Sequence, residues 1–148
     1  MPEINAYPTS DELLAYRTDL SNYLASGQSL DNVMATALLE VKRYLEDKRN
    51  VMWAMVFDTI GDAYWDNEDS TGRNKDRIQK AIILYTIAII FRDYSITVGD
   101  GAWWELYLSY RADAENTLKD ARLDVDRDES GDISNSEAET LGQSFMIR

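Results

Sequence analysis

The chain contains no cysteine and no histidine. That removes imidazole and thiolate zinc sites, haem and iron–sulfur ligation, disulfides, thiol nucleophiles and every Ser–His–Asp arrangement. Basic residues are scarce as well, 15 against 27 acidic, for a formal charge of −12. A surface that grips nucleic acid by neutralising phosphates normally carries the opposite sign. Neither GxxxxGK[ST] nor GxGxxG occurs, so no phosphate-cradling loop is indicated. The opening MPEINAYPTSDELL has no basic region followed by an apolar stretch, and no signal peptide is expected. The longest stretch without a charge or a strong breaker among the apolar segments, Ala81–Phe91 with Thr86 its one polar residue, is closed by Lys80 and Arg92. As a helix it spans roughly 16 Å, about half the hydrocarbon thickness of a bilayer, and reads as a buried helix instead of a membrane span.

What is present is material for one core. Apolar residues make up 45% and aromatics 11% of 148 residues, enough for a single domain and too few for two of ordinary size. Thr9 and Glu12 have the spacing of a capping box, and Leu13, Tyr16, Leu20 and Leu24 fall on one face of a helix over about 10–25 that ends near Gly27. Asp31 is the expected cap of a second helix, 31–48, with Leu30 as a staple. Its inward stripe is Val33, Ala37, Val41, Tyr44 and Leu45, while Glu40, Lys42, Arg43, Glu46, Asp47, Lys48 and Arg49 are expected in water. A third helix, 76–96, opens at Asp76 and is apolar nearly all round, which makes it central in the fold or covered by a neighbouring subunit. Gly99–Asp100–Gly101 breaks the chain, and Asp100 caps a fourth helix, 101–122, with Trp103, Leu106, Tyr107, Tyr110, Ala114, Thr117, Leu118 and Ala121 inward. The expected fold is all-α, a bundle of about four helices, with a helical body over 1–123 and an acidic loop and C-terminal arm over 124–148. Residues 50–75, rich in aromatics and turn formers, read either as a short helix and a loop or as an extended excursion packed against another chain; they and the tail beyond Glu139, with Phe145, Met146 and Ile147, are expected to contact other subunits or partners.

The most specific pattern is Asp126–Glu137, D-R-D-E-S-G-D-I-S-N-S-E. The EF-hand loop asks for oxygen ligands at positions 1, 3 and 5, Gly at 6, a backbone carbonyl at 7 and a bidentate Glu at 12. Asp126, Asp128, Ser130, Gly131, Asp132 and Glu137 stand at those places, with Ile133 at position 8 and Ser134 at 9. Calcium takes six to eight oxygens at about 2.3–2.6 Å, and the glycine turn wraps the chain round the ion. From Asp124 to Glu139 seven acids face one base, Arg127, a net −6 that calls for a cation or for Lys and Arg of a partner. The metal ligands are therefore Asp126, Asp128, Ser130, Asp132 through its carbonyl, and Glu137, holding one structural calcium ion; a plain acidic turn is the competing reading. A single loop without a pair fits a structural ion better than a switch.

Other constellations carry less. Asp58, Asp62, Asp66 and Glu68 read as a solvated acidic face, because no nucleophile or base accompanies them. Trp53, Trp103 and Trp104 read as core or interface packing ahead of a sugar or base platform. Lys42, Arg43, Lys48 and Arg49 form the one basic cluster, a wet face or inter-subunit salt-bridge patch.

An SDELLAYR helix, a DNVMATALLEVKRYLEDKR helix, an aromatic excursion, an apolar helix and YLSYRADAENTLKDARLDVDRDESGD with a short tail follow one another. This order resembles the head–tail connector (adaptor or neck) proteins of tailed bacteriophages. The resemblance covers most of the chain and rests on helix order, length and the Tyr-rich helix running into the acidic segment. It implies a non-enzymatic virion protein, assembled in the host cytoplasm as a ring of identical subunits, typically twelve. Such a ring docks beneath the portal protein of a DNA-filled capsid and holds it to a tail or stopper protein. DNA passes through its bore without sequence-specific binding, and no membrane is involved. The calcium pattern departs from that family, so the segment is either a metal-clamped elbow or an arm reaching the portal. The alternative function is that of a soluble calcium-binding protein.

Overall fold

Local capping chemistry sets where the helices of this chain begin, and a computed structural model describes the result for residues 7–56, 74–124 and 138–140. Helix α1 is Ser10–Tyr16, opened by the expected box: Thr9 Oγ1 accepts from the Glu12 amide at 3.2 Å, and Glu12 Oε1 accepts from the Thr9 amide at 3.3 Å. It stops well short of residue 25. Arg17 is extended, and Leu20–Tyr23 forms a separate 3-10 turn. The break has a tertiary cause. Arg17 lies 4.7 Å above the Phe91 ring and also bonds Asp19 at 2.9 Å, which a continuing helix would not permit. Leu13 and Leu20 are buried as expected, but Tyr16 is left 51% exposed.

Helix α2 is Leu30–Arg49. Its cap is Ser29, not Asp31: Ser29 Oγ accepts from the Asn32 amide at 3.2 Å, and Asp31 sits in the first turn, where its charge suits the helix dipole. Asn50 closes it in the left-handed conformation (φ 54°), where Asn is one of the few tolerated residues. Val33, Ala37, Val41 and Leu45 are buried, Tyr44 is half-buried, and Met34 and Leu38 widen the stripe. A short helix α3, Trp53–Val56, follows. Val51 and Val56 belong to the core, so the start of the 50–75 stretch completes this chain's own interior instead of awaiting a partner; the remainder, 57–73, lies outside the described residues.

Helix α4, Asn74–Val98, is the axis of the bundle. Its 25 residues are long and apolar enough to cross a membrane by length and composition, yet 67% of the most apolar window is buried within the chain. Ile78, Ala81, Ile82, Ile87, Ala88, Ile90 and Phe91 are almost fully enclosed, by α5 above all and then by α2 and the 3-10 turn. Thr86 is fully buried too and satisfies its hydroxyl on the Ile82 carbonyl at 2.7 Å. Gly99 (φ 71°) turns the chain, and Asp100 caps α5, Gly101–Asp120, accepting from the Ala102 amide at 3.0 Å. The α5 stripe is as read: Tyr107, Ala114, Leu118 and Ala121 are buried and Trp103, Leu106, Tyr110 and Thr117 half-buried. The molecule is an all-α bundle of about four helices, with one small addition. Strands β1 (Arg122–Asp124) and β2 (Ala138–Thr140) pair antiparallel, in the register Arg122 to Thr140, Leu123 to Glu139 and Asp124 to Ala138.

Candidate functional site

The acidic segment leaves the body where α5 ends, and a buried cation holds that point. Arg49, expected in water, is 6% exposed. Its Nη1 donates to the carbonyls of Leu118 at 3.0 Å and Ala121 at 2.8 Å. Those carbonyls belong to the last turn of α5, where backbone acceptors lack helical partners and the helix dipole favours a cation. The burial thus corrects the expectation, and helical phase explains it. Val33, Ala37, Val41, Leu45 and Arg49 recur every four residues, so Arg49 continues the inward stripe. The signal was in the spacing; the charge masked it.

Beyond Ala121 the β1–β2 ladder begins. Asp126, Asp128, Ser130, Asp132 and Glu137, the expected calcium ligands, lie outside the described residues, as do Asp58, Asp62, Asp66 and Glu68. The flanks are described, and they place Asp124 opposite Ala138. The chain on either side of the twelve-residue pattern is therefore brought together, as winding a loop around one ion requires. The flanks are strands, whereas an EF-hand is flanked by helices. Among the described residues no cluster of three or more Asp and Glu is placed to hold a metal ion.

Beside the ladder's root, a groove of about 670 Å³ runs between the start of α4 and the end of α5. Arg77 and Lys80 line it with Asp76, Asp113 and Asp120, so charges of both signs meet there. The Arg77 Nη1 atom is buried with no hydrogen-bond partner among the described residues.

The aromatic residues serve packing. Tyr23, Phe91, Tyr94, Trp103 and Tyr110 form one cluster, with ring centroids 4.9–5.9 Å apart. Trp103 is thereby packed half-buried against the core, while Trp104 faces outward beside Tyr107 at 4.8 Å. The hydrogen bond to the Tyr110 hydroxyl, at 3.4 Å, raises the Arg17 pKa above its already high ordinary value. Desolvation pushes the Asp19 carboxyl up, but hydrogen bonds from Arg17 Nε and the Tyr23 hydroxyl outweigh it and hold the group below its ordinary value. The basic cluster does not form a continuous patch: Arg49 is internal, Lys42 stands 5.5 Å over Trp53, and Arg43 pairs with Glu40 at 3.0 Å.

Comparison of the chain with protein-family models, with curated proteins and with solved structures finds no match.

Proposed function

We propose that this protein is a structural, non-enzymatic subunit of a bacteriophage head–tail connector. Its subunits form a ring in the virion between the portal and a tail or stopper protein, around DNA that is not bound by sequence. The observation that supports the reading most is a set of exposed apolar side chains on α4 and α5. The described helices share a buried core, yet Ile96 and Val98 of α4 and Trp104 and Leu108 of α5 stay exposed. Exposed large apolar side chains beside a buried core are what a subunit interface uses. The formal charge of −12 suits a bore that must not grip phosphates. Native mass spectrometry and negative-stain imaging, alone and with a portal, test it: rings are the expected result. The double variant Trp104→Ser, Leu108→Ser should keep its helical circular dichroism and lose the rings. A monomer or dimer under both conditions sinks the reading.

A second reading, a soluble calcium-binding protein, draws on the ladder that brings the two flanks of Asp126–Glu137 together. Calorimetric titration of the chelated protein, repeated on Glu137→Gln, separates it. Uptake of one calcium ion that the variant weakens supports a site at Asp126, Asp128, Ser130, Asp132 and Glu137. No uptake at millimolar calcium leaves an acidic turn or arm.

A further inference from the structure

A second cleft, about 200 Å³ in volume, opens over the middle of α4 between α2 and α5. Its floor is Tyr85, Ala88, Ile89 and Arg92, which follow one another at helical spacing on one face of α4. Arg43 and Glu40 come from α2, and Tyr107 and Arg111 from α5. Three guanidinium groups line it, each ion-paired at one edge with its own carboxylate: Arg43 with Glu40, Arg92 with Asp93 and Arg111 with Glu115. Three guanidinium groups from three helices at one cleft are the first observation.

The second concerns how these groups are engaged. Arg92 bonds Asp93 through Nε at 3.1 Å, and Arg111 bonds Glu115 through Nε at 3.0 Å. Neither Asp93 nor Glu115 lines the cleft. Arg111 Nη1 donates to the Tyr107 hydroxyl at 3.1 Å, which leaves that hydroxyl's own hydrogen to donate. Both terminal nitrogens of Arg92 and Nη2 of Arg111 have no partner among the described residues. Glu40 occupies only Arg43, at 3.0 Å. Tyr85 is 5% exposed, and its hydroxyl has no hydrogen-bond partner among the described residues. A phenol buried at the floor of a cleft, with solvent-exposed guanidinium groups at its rim, puts several donors on one opening with no acceptor for them among the described residues beyond the ion pairs above.

We propose that this cleft binds an oxyanion, a phosphate or a carboxylate, held by Arg92 and Arg111 with the Tyr85 and Tyr107 hydroxyls. Guanidinium forks match both oxyanions bidentately, and the tyrosines supply neutral donors from the wall. The chemistry has two sources: a free small anion, or an acidic side chain of the Asp124–Glu139 segment of a second copy, whose net charge is −6. The inference stands apart from the connector reading and does not rest on it.

Inorganic phosphate is the first probe, titrated into the full chain in calcium-free buffer at constant ionic strength, with binding read by calorimetry and by thermal shift. Saturation in the low millimolar range or below is expected. Arg92→Gln and Arg111→Gln should each weaken it at least tenfold, Tyr85→Phe severalfold, and Lys48→Gln, an exposed position outside the cleft, not at all. The three cleft variants are read separately, so a loss of fold in one leaves the other two to decide. A synthetic peptide of residues 124–139 is the second probe. If it displaces phosphate and loses affinity in the same variants, the oxyanion is supplied by another copy; if phosphate binds and the peptide does not, a free anion is the ligand. No saturable binding of either probe at tens of millimolar, or binding that the cleft variants leave unchanged, overturns the proposal.

Discussion

Replacing Arg49 by Met tests the tie between α2 and the end of α5. Methionine keeps an unbranched apolar stem in the same space and removes only the guanidinium. Two hydrogen bonds from a charged donor are lost, to Leu118 O at 3.0 Å and to Ala121 O at 2.8 Å. Bonds of that kind contribute about 1.5–3 kcal/mol each, so these two together account for about 3–6 kcal/mol. Releasing a buried cation from its desolvation penalty offsets part of that. A net destabilisation of about 3 kcal/mol is the expected outcome. Urea unfolding followed by far-ultraviolet circular dichroism measures it, and with a slope of about 1–3 kcal/mol/M the midpoint should fall by about 1–2 M or more. Arg49→Lys, which keeps the charge but not the planar fork, should recover only part. Because Ala121 directly precedes β1, amide exchange at 122–124 should also quicken in Arg49→Met. A midpoint shift below about 0.3 M with an unchanged slope would refute the reasoning, since it would mean that water replaces the guanidinium at no cost.

Three further outcomes are expected. Phe91→Ala, at the hub of the aromatic cluster and fully buried, should lose about 3–5 kcal/mol in the same urea assay and redden the tryptophan emission as water reaches Trp103. Ser29→Ala should cost about 1 kcal/mol, and Asp31→Ala less, because the hydroxyl makes the cap and the carboxylate only meets the dipole. Asp19 has a lowered pKa in the folded state, so its contribution is present above the unfolded value of about 3.9 and is lost as pH falls through the folded value. Urea midpoints of wild type and Asp19→Asn should therefore differ at neutral pH and draw together as pH falls below the unfolded carboxylate value; a gap that does not narrow would contradict the assignment.

Features that depend on neighbours along the chain are legible in the amino-acid sequence alone. The Thr9–Glu12 box and the Asp100 cap are contacts over three residues or fewer, and both are present as read. The stripes of α2 and α5 follow from helical periodicity, and the all-round apolar character of α4 marks it as central. The calcium pattern, too, is a matter of spacing in the chain, and so is its local charge. What the tertiary structure decided involves partners far apart in sequence. Helix α1 ends at Tyr16 because the segment after it has to seat Arg17 on Phe91 and Tyr23 among the α4 and α5 rings. Arg49 is internal because carbonyls 69 and 72 residues away receive its charge. The cleft over α4 exists only once three helices bring Arg43, Arg92 and Arg111 to one place. Periodicity tells which face of a helix turns inward; whether a charge on that face is buried depends on acceptors that only the packed helices supply.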